Sequence, residues 1–165
     1  MNQDVFIRFS NDRYESGNAL IVVLLSLLSI YLPFIFNSTS VNINDIVFYG
    51  LVDGVFAWLF ATLAAWFLIT RAFNTILDIT NLLVFTGYTH GILGFFGLTI
   101  LVNNYISIPQ NVLQIFILVI FGWMYFVLTK ALSVAFLLEK RIASISSVTY
   151  LVILIFFSDP IRIFF

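Results

Sequence analysis

Cysteine is absent from this chain of 165 residues, which excludes internal disulfides, thiolate zinc sites, iron–sulfur clusters, covalent c-type haem and cysteine nucleophiles together. Histidine occurs once, as His90, so the chain cannot build a bis-histidine haem site or a histidine-rich metal centre by itself. No cofactor is expected. Charge is scarce too: 7 basic and 8 acidic residues make up 9% of the chain, against about 25% in an average soluble domain. The formal net charge of −1 leaves no basic excess to neutralise phosphates, so a nucleic-acid partner has no electrostatic support. The sequence contains no G-x-S-x-G, no phosphate-cradling glycine-rich loop, no H-E-x-x-H and no paired membrane carboxylates. With no catalytic signature, a non-enzymatic role is the expectation.

What is abundant is apolar surface. Hydrophobic residues are 62% of the chain and include 20 Phe, 7 Tyr and 3 Trp, and the mean hydropathy is +1.10. Such a composition belongs in a bilayer. The gaps between charged residues map the crossings, because a helix needs about 20 apolar residues to cross a hydrocarbon core roughly 30 Å thick. No charge falls between Glu15 and Asp45, and the second apolar stretch is uncharged from Gly54 to Thr70, ending at Arg71. From Ile79 to Thr129 charge is absent again, too long for one crossing and enough for two, with Asn103-Asn104-Tyr105 and Pro109-Gln110-Asn111 marking the turn. The expected fold is an all-α membrane protein, a single domain built as a bundle of five transmembrane helices over about 19–36, 46–70, 81–102, 112–138 and 142–157. Pro33 is expected to bend or end the first of them.

Orientation follows from the basic residues. Arg8, Arg13, Arg71, Lys140 and Arg141 fall on the side of the N-terminus, with Lys130 close enough to snorkel there, and only Arg162 falls on the other. The positive-inside rule then places the N-terminus in the cytoplasm and the C-terminus outside. The N-terminal residues precede no A-x-A cleavage site, so the first span reads as a retained helix.

Three polar side chains inside spans are candidates for function. His90 lies midway along the third span, and an ionisable group at that depth is a functional hypothesis by default. It competes with a plain alternative, a neutral ring hydrogen-bonded to a neighbouring hydroxyl or carbonyl. Asp53 lies about 7 residues into the second span, on the order of 10 Å below its outer end, where it can be solvated, pair with Arg162 or bind a cation. Lys130 can snorkel or pair with Asp78. Small residues form two stripes at helical spacing: Gly50, Gly54, Ala57, Ala61 and Ala64 on the second span, and Gly87, Gly91 and Gly94, continued by Leu98, on the third. They are expected to pack these two helices against each other, or to form an oligomer seam. Asn37-Ser38-Thr39 is a glycosylation sequon in the first outer connector.

The order of these features resembles the Yip (Ypt-interacting protein) family of small five-span membrane proteins, over about residues 55–157. The likeness is carried by a second span ending in a basic residue, a short polar connector, then Leu83-Val84-Phe85-Thr86-Gly87-Tyr88, and a fourth span ending in a Lys/Glu segment. The Gly87-Tyr88 pair looks like the family's Gly-Tyr at that place. The resemblance, to a divergent prokaryote-like member, implies a membrane-organising, trafficking or scaffold role with the bilayer, other membrane proteins or a second copy as partners. Two other readings stay open: an accessory subunit of a larger membrane complex, and a small channel or transporter using Asp53 and His90.

Overall fold

The structure is a computed structural model that describes residues 15–37, 44 and 46–157. Every described element is helical, and five helices are long and apolar enough to cross a membrane. Helices suit that solvent because hydrocarbon offers no hydrogen bonds, so each backbone polar group must be satisfied within its own segment. Helix α1 spans Glu15–Asn37. The second crossing is α2, Asp53–Phe67, flanked by π-helical turns at Ile46–Val52 and Leu68–Ala72. The third consists of α3, Ile79–His90, and α4, Phe95–Ile106, joined by a 3₁₀ turn over Gly91–Gly94. Helices α5, Gln110–Ala135, and α6, Lys140–Phe157, form the fourth and fifth.

Two expectations about helix ends need correction. Pro33 does not end α1, which continues to Asn37; lying in the last turns, it removes one donor, to the carbonyl of Ser29, and little else. The fourth span stops at Ala135 rather than near residue 138, because Leu137 takes a left-handed φ of 52° that no α-helix continues through. Asn74 and Ser107 close the second and third spans in the same left-handed way. The Asp78 side chain starts α3 by accepting a 2.9 Å hydrogen bond from the Thr80 N–H.

The second to fifth spans form a ring in chain order, with α6 closing back onto α2. The third and fifth therefore face each other across the ring, with the second and fourth between them. Helix α1 lies outside it, packed along α3 and α4 and touching the start of the second span. Leu93, Phe96, Met124, Leu128, Leu132, Tyr150 and Leu154 fill the interior. Aromatic contacts tie the third span to the fourth and its C-cap, with Phe85 edge-on to Phe136 at 5.3 Å and Phe96 tilted against Phe121 at 5.7 Å between ring centroids. Phe56, Phe60, Phe116, Trp123 and Phe126 point outward, where lipid rather than water would meet them.

Both glycine stripes face α1, which corrects the expectation that they pack on each other. A Cβ on Gly50 would meet Tyr31 and one on Gly54 would meet Leu27, the register of an antiparallel pair. Gly87 lies against Ala19, Gly91 against Val22 and Gly94 against Ser26, the register of a parallel pair. Beyond the 3₁₀ turn the stripe passes through Gly97, which is buried against Ser29, whereas Leu98 is exposed. The cause is helical phase: at 3.0 residues per turn the same face returns after three residues, so the stripe reaches 97 instead of 98. Of the alanines, Ala57, Ala61 and Ala65 are buried, while Ala64 is only half-buried.

Candidate functional site

Polar side chains buried at mid-depth on three helices of the ring lie at matching heights. His90 is 11 residues from the start of α3 and Tyr150 is 10 from the start of α6, so on parallel spans both lie on the order of 15 Å from the same end. Tyr150 reaches across the ring, and its hydroxyl lies 3.5 Å from His90 Nδ1. Both side chains are completely buried. The hydrogen-bond inventory chooses the tautomer. If the Tyr150 O–H donates to Nδ1, the proton sits on Nε2 and one donor is left over; the opposite tautomer strands both the Tyr150 hydroxyl proton and the Nε2 lone pair. The first arrangement is the cheaper. Nε2 has no hydrogen-bond partner, and neither does the hydroxyl of Ser146, one turn from Tyr150 on α6.

One turn below His90, Thr86 organises a second group. Its hydroxyl accepts from Trp58 Nε1 at 3.1 Å and lies 2.9 Å from the hydroxyl of Thr62. It also donates back to the carbonyl of Leu82 at 2.9 Å. Thus α2, α3 and α6 each present an i, i+4 pair to the interior: Trp58 and Thr62, Thr86 and His90, Ser146 and Tyr150. Of these six, only His90 stood out by residue type. The signal for the others was the shared spacing at matching depth, since Thr, Ser and Tyr are each unremarkable inside a membrane helix. Chemically the arrangement is a set of neutral donors and acceptors that ties spans two, three and five together.

The remaining candidates are dispersed. Asp53 is the first residue of α2 and is half-buried near one end of the bundle. Its suggested partner, Arg162, lies outside the described residues. Lys130 is exposed near the other end, as snorkelling requires, and Asp78, the alternative partner, spends its carboxylate on the α3 cap. Ser38 and Thr39 of the sequon also lie outside the described residues. The Gly87-Tyr88 pair meets the start of α1: Gly87 against Ala19, and the Tyr88 hydroxyl donating to the Glu15 carboxylate.

Fold and site together define a class, an all-helical protein with five helices fit to cross a bilayer and a polar belt at mid-depth. Comparison with family models, curated proteins and solved structures yields no match in any of the three. Function must therefore be argued from the geometry.

Proposed function

We propose that this is a multi-pass integral membrane protein with its N-terminus cytoplasmic, acting as a non-enzymatic membrane scaffold or organiser in the manner of the Yip family it resembles. One observation carries the reading: the deepest ionisable side chain, His90, is enclosed on all sides and held by Tyr150 across the ring. A group held that way joins helices. It supports the scaffold over a transporter, which would need His90 open to a path and in reach of Asp53. Asp53 is 19 residues from the end of its span at Ala72, which puts it on the order of 12 Å from His90 in depth alone.

The subunit reading keeps one supporting observation. Between α4 and α5 a largely apolar groove of about 320 Å³, walled by Phe95, Leu98, Val102, Phe116, Val119 and Trp123 with Thr99 as its polar side chain, faces outward. Native mass spectrometry after gentle extraction separates the two. A monomer or homo-oligomer is expected, and a stoichiometric assembly with other membrane proteins would overturn the scaffold. The absence of cysteine makes orientation easy to test. Ile76→Cys should be labelled from the cytoplasmic side and Asn104→Cys from the opposite side; the reverse pattern would refute the assigned topology.

A further inference from the structure

Where the second span gives way to the third, the chain forms a cleft of about 360 Å³ lined by Trp66, Thr70, Arg71, Asn74, Thr75, Ile76 and Leu77. We propose that this cleft binds the headgroup and upper acyl chain of one anionic phospholipid. The inference rests on the membrane-spanning reading and is independent of the choice between scaffold and subunit.

The cleft is amphiphilic in the sense such a lipid requires. Arg71 is the only charged residue in its wall, is exposed, and sits in the last turn of the second span, at the depth of the headgroups. A guanidinium there offers a two-pronged donor to a phosphodiester. The nearest carboxylate along the chain, Asp78, is turned to the Thr80 N–H. The other wall is apolar. Ile76 is 102% exposed, uncovered by any part of the described protein. Trp66 donates its ring N–H to the Leu77 carbonyl at 2.9 Å, which fixes the connector and leaves the indole at the membrane boundary, where Trp is favoured. A soluble anion would satisfy Arg71 and leave Ile76 bare; a lipid covers both.

Charge complementarity points the same way. Among the described residues the basic ones, Arg71, Lys130, Lys140 and Arg141, are all exposed at this end of the bundle. The acids near them are Asp78, Glu139 and Glu15, and the last accepts from Tyr88. At the opposite end the only described charge is Asp53. An anionic leaflet is thus drawn to this end, and the cleft is the place within it that has a shape.

The test is native mass spectrometry of the full chain ejected from nanodiscs of equal parts dioleoylphosphatidylcholine and dioleoylphosphatidylglycerol. The wild type should retain phosphatidylglycerol over phosphatidylcholine by about fivefold, the worth of one well-placed basic group. Arg71→Gln should lose the preference, and Arg71→Lys should keep part of it. Lys140→Gln/Arg141→Gln should keep all of it, because those residues contribute only to the general field. Equal retention of both lipids by the wild type, an unchanged preference in Arg71→Gln, or an equal loss in the double variant would each overturn the site. Inorganic phosphate in excess should not displace the lipid, and displacement would refute the lipid assignment. Retention of no lipid of either kind would likewise overturn the site, whereas failure of the chain to enter nanodiscs would defeat the membrane-spanning reading itself.

Discussion

Gly97→Ala is the sharpest perturbation the fold offers, because one methyl meets a backbone that has no room to yield. A Cβ at Gly97 would stand 2.0 Å from the carbonyl oxygen of Ser29, 2.5 Å from its carbon and 2.6 Å from its hydroxyl. That oxygen is where it is for a reason: Pro33, four residues on, lacks the N–H that would have bonded it. The freed carbonyl turns to the third span, where only the hydrogens of a glycine leave space. Relieving the clash means separating α1 from α4 by more than 1 Å or so, given an ordinary carbon–oxygen contact of about 3.3 Å. The Ser29 hydroxyl, which donates to the Gly94 carbonyl at 2.9 Å, would be pulled off with it. Overpacking of this kind costs about 1–3 kcal/mol, or roughly 5- to 150-fold in the folding equilibrium. Gly94→Ala is the internal control, since its Cβ would meet nothing nearer than 3.6 Å. Unfolding in mixed dodecyl maltoside–SDS micelles, followed by far-UV circular dichroism, should show Gly97→Ala weakened in that range and Gly94→Ala unchanged or slightly stabilised. Equal behaviour of the two variants would refute the argument that α1 is seated by this contact.

The same assay reaches the polar belt. Tyr150→Phe removes a long hydrogen bond and keeps the ring, so it should cost less than about 1 kcal/mol, whereas Tyr150→Ala empties the centre of the ring and should cost about 3–5 kcal/mol. If Tyr150→Phe proves as damaging as Tyr150→Ala, the His90 contact outweighs the packing. Thr86→Val strands the Trp58 N–H and should cost about 1–2 kcal/mol, whereas Thr86→Ser, which keeps the hydroxyl, should cost much less; a larger loss in Thr86→Ser than in Thr86→Val would mean that the methyl, not the hydroxyl, matters. Leu137→Gly should stabilise by about 0.5–1 kcal/mol, because the left-handed strain it relieves, about 1–2 kcal/mol, exceeds the added entropy of glycine in the unfolded chain. A loss of stability on that substitution would show that the exposed leucine has a contact that outweighs its strain.

The crossings were legible because charge is so sparse: the gaps between charged residues are long enough for one crossing or, between Asp78 and Lys130, for two, and a helix is the only local structure that satisfies its backbone there. The stripes were legible too, as stripes. Their partners were not, since spacing tells which residues share a face and is silent on what that face meets. Gly87 and Gly54 carry the same local pattern whether they pack on each other or, as here, both on α1. Gly97 was hidden behind a phase error of one residue, introduced by the four residues of the 3₁₀ turn at Gly91–Gly94, and nothing short of the backbone reveals that the helix tightens there.

His90 shows the same limit from the other side. Its rarity singled it out, but its meaning depends on Tyr150, 60 residues away in the chain, and on the ring placing spans three and five opposite each other. Only that placement calls for a long side chain with a polar tip to cross the gap, and tyrosine is the residue that fills the space and still brings a hydroxyl to the imidazole. A leucine at 150 would fall short, and a phenylalanine would arrive without the donor. The belt is therefore a consequence of topology: once the chain closes α6 onto α2, the interior between the third and fifth spans must be filled from both sides, and the polar ends of the filling groups meet at His90.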